Sequence, residues 1–254
     1  MSHIVAEVPS HELETVDAQD TLISAIEVMF ENDYTQLGIE RDGKVVGMVS
    51  YRSISRVLSI LRKLGADKNL SGRRVDIAIE EISPLVEPDA DLIVLFDLLS
   101  ENPYVLVKGD EDQSLEIITN YDLLHYLRDS IEPFLLIEDI ERSTRKLIQN
   151  AFPDNLDEEL SEFFESKDIR TPEGINDCSF GHYSQFVSEN RQYFGEYFEE
   201  NGDFLRRLLS EVDQIRNKIF HFRSDSYETN MEEELLKFAH GYFQKRLPEN
   251  KTST

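Results

Sequence analysis

Along the first half of the chain the spacing of apolar residues changes in a fixed order, and then the order repeats. Residues 20–31, "DTLISAIEVMFE", place apolar side chains at helical spacing, and a short apolar run at 36–40 follows at strand spacing. Asp42-Gly43 in "RDGK" is a hairpin signal, followed by a second strand pattern, "VVGMVS", and a second helix pattern, "SISRVLSILRKL". The same succession returns as 90–101, 104–108, "LEIIT" and "DLLHYLRD". Each copy reads β-α-β-β-α, with "GADKNLSGRR" as the link.

The copies also share letters. "VDAQDTLISAIEVMFENDYTQLGI" from Val16 lies over "VEPDADLIVLFDLLSENPYVLVKG" from Val86 without a gap, at a shift of 70. Val16/Val86, Leu22/Leu92, Ile23/Ile93, Glu31/Glu101, Asn32/Asn102 and Tyr34/Tyr104 are identical. At the last strand-to-helix junction the second copy carries "TNYD", with Thr119 and Asp122. The first copy has "SYRS" there, with Ser50 and Ser53.

Two such copies, the second with an intact Ser/Thr-x-x-Asp at that junction, resemble a tandem cystathionine-β-synthase (CBS) pair, covering residues 1–130 with repeats at about 5–66 and 75–130. The resemblance implies adenosine nucleotides, AMP or ATP, bound in clefts between the copies, and a homodimer. A helix N-terminus offers free N–H groups to a phosphate. The threonine hydroxyl adds a donor, and the aspartate three residues on accepts from a ribose diol. Thr119 and Asp122 are the expected ligand-binding pair; Ser50 and Ser53 are the first-copy counterparts, with Ser53 short and uncharged for ribose. The same residues also suit a plain helix cap.

From residue 131 strand alternation stops. "IEPFLLIEDIERSTRKLIQNAF" predicts a long amphipathic helix with Pro133 in its first turn. An acidic, turn-rich stretch follows at 153–177, and helical patterns resume in "FGHYSQFVSENRQYFGEYF", "NGDFLRRLLSEVDQIRNKIFHF" and "YETNMEEELLKFAHGYFQKRL". The expected fold class is therefore α+β: a tandem β-α-β-β-α pair, then an all-α bundle of four or five helices at 131–247 and a polar tail at 248–254.

Charge sharpens this picture. Acidic residues number 51 and basic residues 26, a net of −25. The excess is shared between residues 1–130 (25 acids, 11 bases) and 131–254 (26 acids, 15 bases), so it is not an acidic tail. Spread acidity resembles proteins of salt-loving cytoplasms, where molar salt screens repulsion to within about 3 Å; an acidic protein of an ordinary cell is the other reading. Neither favours broad phosphate-backbone binding. One window departs: residues 206–223 hold Arg206, Arg207, Arg216, Lys218 and Arg223 against Glu211 and Asp213, a local +3.

No run of about 18 apolar residues predicts a membrane span, and the acidic start lacks the pattern of a secretion signal, so a cytoplasmic location is expected. The single cysteine, Cys178, excludes an internal disulfide framework, and His182 and His240 lack partners at metal spacing, so no metal site is expected. Glu138 and Arg142, four apart, predict a helix salt bridge.

The basic window contains "RNKIFH". On that helix Leu205, Leu208, Val212, Ile215 and Ile219 fall within about 80° of one another and form the core stripe. Asn217 and His221, four apart, lie on roughly the opposite side, and Arg216 borders the stripe. An arginine, a polar residue and a histidine at this spacing, in the second-to-last helix of an all-α domain, resemble the HEPN (higher eukaryotes and prokaryotes nucleotide-binding) domain. Its ribonuclease members cut RNA without a metal. The resemblance implies that His221 moves protons at the ribose 2′-OH or the leaving oxygen, Arg216 stabilises the phosphorane, and Asn217 orients the phosphate or the imidazole. RNA, a second subunit completing the site, and an antitoxin are the partners it implies. The other reading is a non-catalytic ligand-binding regulator whose helical domain mediates dimerisation or partner binding.

Overall fold

The computed structural model describes residues 3–66, 72–82, 84–109, 114–167, 171–195, 197, 202–220 and 230–247. The chain divides into two compact units, Met1–Arg128 and Asp129–Thr254.

The first unit contains β1 (His11–Glu12), β2 (Thr15–Asp17), α1 (Leu22–Glu31), β3 (Gln36–Arg41), β4 (Lys44–Ser50), α2 (Tyr51–Lys63), β5 (Leu85–Val86), α3 (Leu92–Glu101), β6 (Tyr104–Lys108) and β7 (Leu115–Thr119). Two sheets result, in the orders β2-β3-β4 and β1-β7-β6-β5. In each copy a short first strand runs parallel to the second, and a hairpin adds the third antiparallel. The β3–β4 turn places Asp42 at φ 54° and Gly43 at φ 73°, the left-handed pair of a type I′ turn whose twist matches its strands. Helix starts are fixed locally: the Thr21 hydroxyl accepts from the Ser24 N–H (3.1 Å) and the Asp91 carboxylate from the Ile93 N–H (2.9 Å).

Strand register revises the gapless repeat. Thr15 pairs with Gly38 in the first copy and Leu85 with Leu106 in the second, so the leading strands are offset by 70 and the following strands by 68. The first copy therefore holds two extra residues between α1 and β3, where Asp33 takes φ 56°. Tyr104 is the counterpart of Gln36, since Gln36 pairs with Ser50 and Tyr104 with Thr119. The shared Tyr34/Tyr104 letter is not a shared position.

Each copy is completed by the segment that precedes the other. The 3₁₀ turn at Val5–Glu7 lies on the second copy: Val5 N–H donates to the Ala90 carbonyl (2.9 Å) and Leu92 N–H to that of His3 (3.0 Å). The turn at Val75–Ala78 lies on the first: Val75 N–H donates to Asp20 (2.7 Å) and Leu22 N–H to Arg73 (2.8 Å). Val5 and Val8 are buried among Val86, Leu92 and Leu95, while Val75 and Ala78 are buried among Val16, Ala18 and Leu22. β1 extends the second sheet by pairing His11 with Ile117, and Glu80 makes the matching bridge to Met48.

The expected break after Arg128 is absent: α4 (Asn120–Ala151) is one helix of 32 residues with Pro133 inside it. Proline removes one ladder bond there, and the turns on either side continue the helix. The acidic stretch expected to be turns contains α5 (Leu156–Glu165), whose Leu160 and Phe164 are buried. Its first-turn acids, Asp157, Glu158 and Glu159, complement the positive helix end. The next helical pattern is divided at Asn190 into α6 (Phe180–Glu189) and α7 (Arg191–Phe194), before α8 (Gly202–Phe220) and α9 (Asn230–Gln244). Leu205, Leu208, Val212, Ile215 and Ile219 are all buried, in one cluster with Ile140, Phe164, Phe186 and Phe243. Glu138 and Arg142 pair at 2.6 Å.

Gly47→Ala should destabilise the first unit by about 1–3 kcal/mol, because a Cβ there would meet the Ile79 side chain and, at 2.8 Å, the fixed Glu80 carbonyl. Thermal unfolding reads this as a lowered midpoint. Burial pushes the Cys178 thiol from 9.0 up to about 11, with the charge of Asp177 adding to it. The folded chain prefers the neutral thiol, so that contribution is complete below about pH 9 and is lost as pH rises through about 11. At pH 8 a thiol reagent should label the native protein far more slowly than the unfolded one.

Candidate functional site

The exchange of leading segments brings three stretches together. A cavity of about 510 Å³ in the first unit is lined by His11–Glu14, Asp33–Gln36, Pro103, Ile117 and Thr119–Asp122. The first stretch comes from the segment leading into the first copy, the second from the loop that holds the extra residues and the start of β3, and the last from the β7–α4 junction. Leu13, Pro103 and Ile117 give the cavity an apolar wall, and Tyr34 and Tyr121 add aromatic faces.

Asp122 is the anchor. It is 94% buried, being 6% exposed, and its carboxylate is held at both oxygens. One oxygen, Oδ2, accepts from the Thr119 N–H (2.8 Å) and from the Thr119 hydroxyl (2.6 Å). The other, Oδ1, accepts from His11 Nε2 at 3.1 Å. His11 is largely exposed, so a diol with better geometry can replace it at Oδ1 without disturbing the cap on Oδ2. The Thr119 hydroxyl, expected from sequence to donate to a phosphate, instead gives its hydrogen to Asp122.

The first-copy counterpart is differently arranged. Ser50 and Ser53 form a reciprocal capping box, with the Ser53 N–H donating to Ser50 Oγ (3.1 Å) and the Ser50 N–H to Ser53 Oγ (3.0 Å). Ser53 is fully buried. The Ser50 hydroxyl donates to Glu80 (3.2 Å), and Arg56 pairs with the same carboxylate at 3.4 Å. Where Gln36 lines the open cavity, its counterpart Tyr104 is buried, and burial, with the charge of Glu80 next, pushes its hydroxyl to about 12. The first-copy residues are thus satisfied by their own neighbours.

On α8, Asn217 lies on the side away from the core stripe and Arg216 at the stripe's border. Asn217 is exposed and Arg216 half-buried. The guanidinium lies 5.2 Å from the centre of the Phe220 ring, and its Nη1 donates to Asn217 Oδ1 at 3.4 Å. The buried Arg216 Nε has no hydrogen-bond partner among the described residues. Lys218 of the same basic window is tied to Glu232 at 2.5 Å. His221 and Arg223 lie outside the described residues. His182 closes the cap of α6, its Nδ1 accepting from the Ser179 N–H (3.0 Å), and packs edge-on against Phe164. His240 faces Asp139 at 3.4 Å. Among the described residues no group of three His, Cys, Asp or Glu side chains is arranged to hold a metal ion, and no helix is long and apolar enough to cross a membrane.

His11 and the Asp33–Gln36 segment were not singled out by sequence. The only signal for the first is the short polar run "HELE", and for the second the letters "DY", which the gapless alignment hid.

Solved structures similar to this chain include CBS domain proteins. A conserved CBS domain protein of unknown function from Thermoplasma acidophilum is 28% identical, with 50% of this chain and 70% of that one covered at a TM-score of 0.41. CBSX2, solved in complex with AMP, is 19% identical over 50% of this chain and 97% of its own, at a TM-score of 0.42. A hypothetical conserved protein from Geobacillus kaustophilus is 18% identical over 51% of this chain and 98% of its own, at a TM-score of 0.43. Among curated proteins, none matches this chain. The sequence match that carries a family is local, and it falls on the first repeat: residues 5–60 match the CBS domain.

Proposed function

We propose that residues 1–130 form an adenine-nucleotide-sensing CBS pair that regulates a HEPN-type, metal-independent ribonuclease at residues 131–247. The observation that carries the sensor is the cavity at Thr119–Asp122, where a buried carboxylate keeps one oxygen for a diol beside apolar and aromatic walls. A ribose 2′,3′-diol suits Asp122 Oδ1, and an adenine ring suits the faces of Tyr34 and Tyr121.

Support for the ribonuclease is the exposed Asn217 opposite a buried stripe, bonded to Arg216 at the border of that stripe, whose Nε has no hydrogen-bond partner among the described residues. In this reading His221 takes the proton from a ribose 2′-OH, whose oxygen attacks the adjacent phosphorus. The bond to the 5′-oxygen breaks, a 2′,3′-cyclic phosphate remains, and the departing oxygen is protonated. Arg216 stabilises the charge on the phosphorane oxygens. One copy brings one His221, so a homodimer supplies the acid and the base. The spread acidity fits a salt-rich cytoplasm, in which only short-range contacts guide RNA. A second reading, a ligand-binding regulator whose helical unit only dimerises or binds a partner, draws on the tie of Lys218 to Glu232, which removes one cation from the basic window.

Asp122→Ala should weaken AMP binding by roughly tenfold to a hundredfold, the loss of one or two hydrogen bonds to a charged group. Calorimetry on the full chain measures it, with circular dichroism as the folding control; unchanged affinity contradicts the sensor site. For the effector, His221→Ala should lower RNA cleavage in EDTA by about 10²–10⁴-fold, and a 2′-deoxy nucleotide at the cut should abolish it. Equal cutting by wild type and variant removes the assignment of His221.

A further inference from the structure

Resting on the reading of this cavity as an adenosine site, we infer that it selects adenosine compounds whose 5′ group is neutral or positively charged over 5′-phosphates. Its lining residues include four acids, Glu12, Glu14, Asp33 and Asp122. Among its described residues there is no lysine or arginine.

Two features could hold a phosphate there, and both are already drawn on by the protein. The Thr119 hydroxyl donates to Asp122 at 2.6 Å, so its hydrogen is not offered to the cavity. The N-terminus of α4 carries roughly half a positive charge, and Asp122, in its first turn, offsets that with a full negative one. A phosphate dianion entering here comes among three further acidic residues, Glu12, Glu14 and Asp33, with no lysine or arginine among the described lining residues to pair with. A neutral 5′-hydroxyl meets no such repulsion, and a 5′-ammonium is attracted. The ribose contact at Asp122 is common to all three.

The test is calorimetry on the full-length protein with three probes: adenosine, AMP and 5′-amino-5′-deoxyadenosine. At about 0.15 M salt, where the screening length is about 8 Å, adenosine should bind at least roughly tenfold tighter than AMP, and the amine tighter still. At about 1 M salt, with screening within about 3 Å, the three affinities should converge. Glu14→Gln and Asp33→Asn should each strengthen AMP binding more than adenosine binding. AMP binding as tightly as adenosine at the lower salt, in an Asp122-dependent way, overturns the selectivity and leaves the sensor reading standing. No binding of any probe, or binding that survives Asp122→Ala, removes both.

Discussion

The first unit depends on a reciprocal exchange: the segment ahead of each copy closes the core of the other. Val5 and Val75, 70 residues apart, play the same part on opposite copies, each buried with its partner's strand and helix. Neither repeat has a complete core of its own, so the pair folds as one object. The exchange also creates the site. It carries His11–Glu14 across to the second sheet, where β1 pairs with β7 and sets His11 on Asp122.

The near-symmetry makes the differences between the copies informative. Both junctions begin a helix with a hydroxyl residue and a polar residue three positions on, and both use these as caps. One cap leaves a carboxylate oxygen facing a cavity, while the other ends in a fully buried serine. The two extra residues before β3 and the exchange of Gln36 for Tyr104 accompany that difference. A glutamine lines the open cavity, whereas the tyrosine is buried with its hydroxyl held neutral to about pH 12. A small change in loop length and side-chain size thus accompanies the difference between an open cavity and a packed junction.

Much of this was legible in the letters, for reasons that can be stated. Helices and strands of the repeat follow from apolar spacing, and Asp42-Gly43 announced its turn through its demand for left-handed backbone. The core stripe of α8 was readable because five apolar residues at helical spacing have one face to share. The α5 helix was hidden by its acids, which suit a helix N-terminus as well as a loop. The continuity of α4 was hidden by Pro133, whose missing bond its neighbouring turns outweigh. His11 was illegible because its role arises from a strand pairing 106 residues away, with Ile117, and no local pattern encodes that.

In the helical unit α8 buries one face and leaves Asn217 exposed on the other, with Arg216 between them. The sensor is where the account can be tested most directly. Amide hydrogen exchange on the full chain, with and without saturating adenosine, reports which backbone the ligand orders. Binding in the exchanged cavity predicts joint protection of residues 11–14, 33–36 and 119–122. Protection confined to the Ser50–Ser53 junction, or none in those three segments, contradicts it.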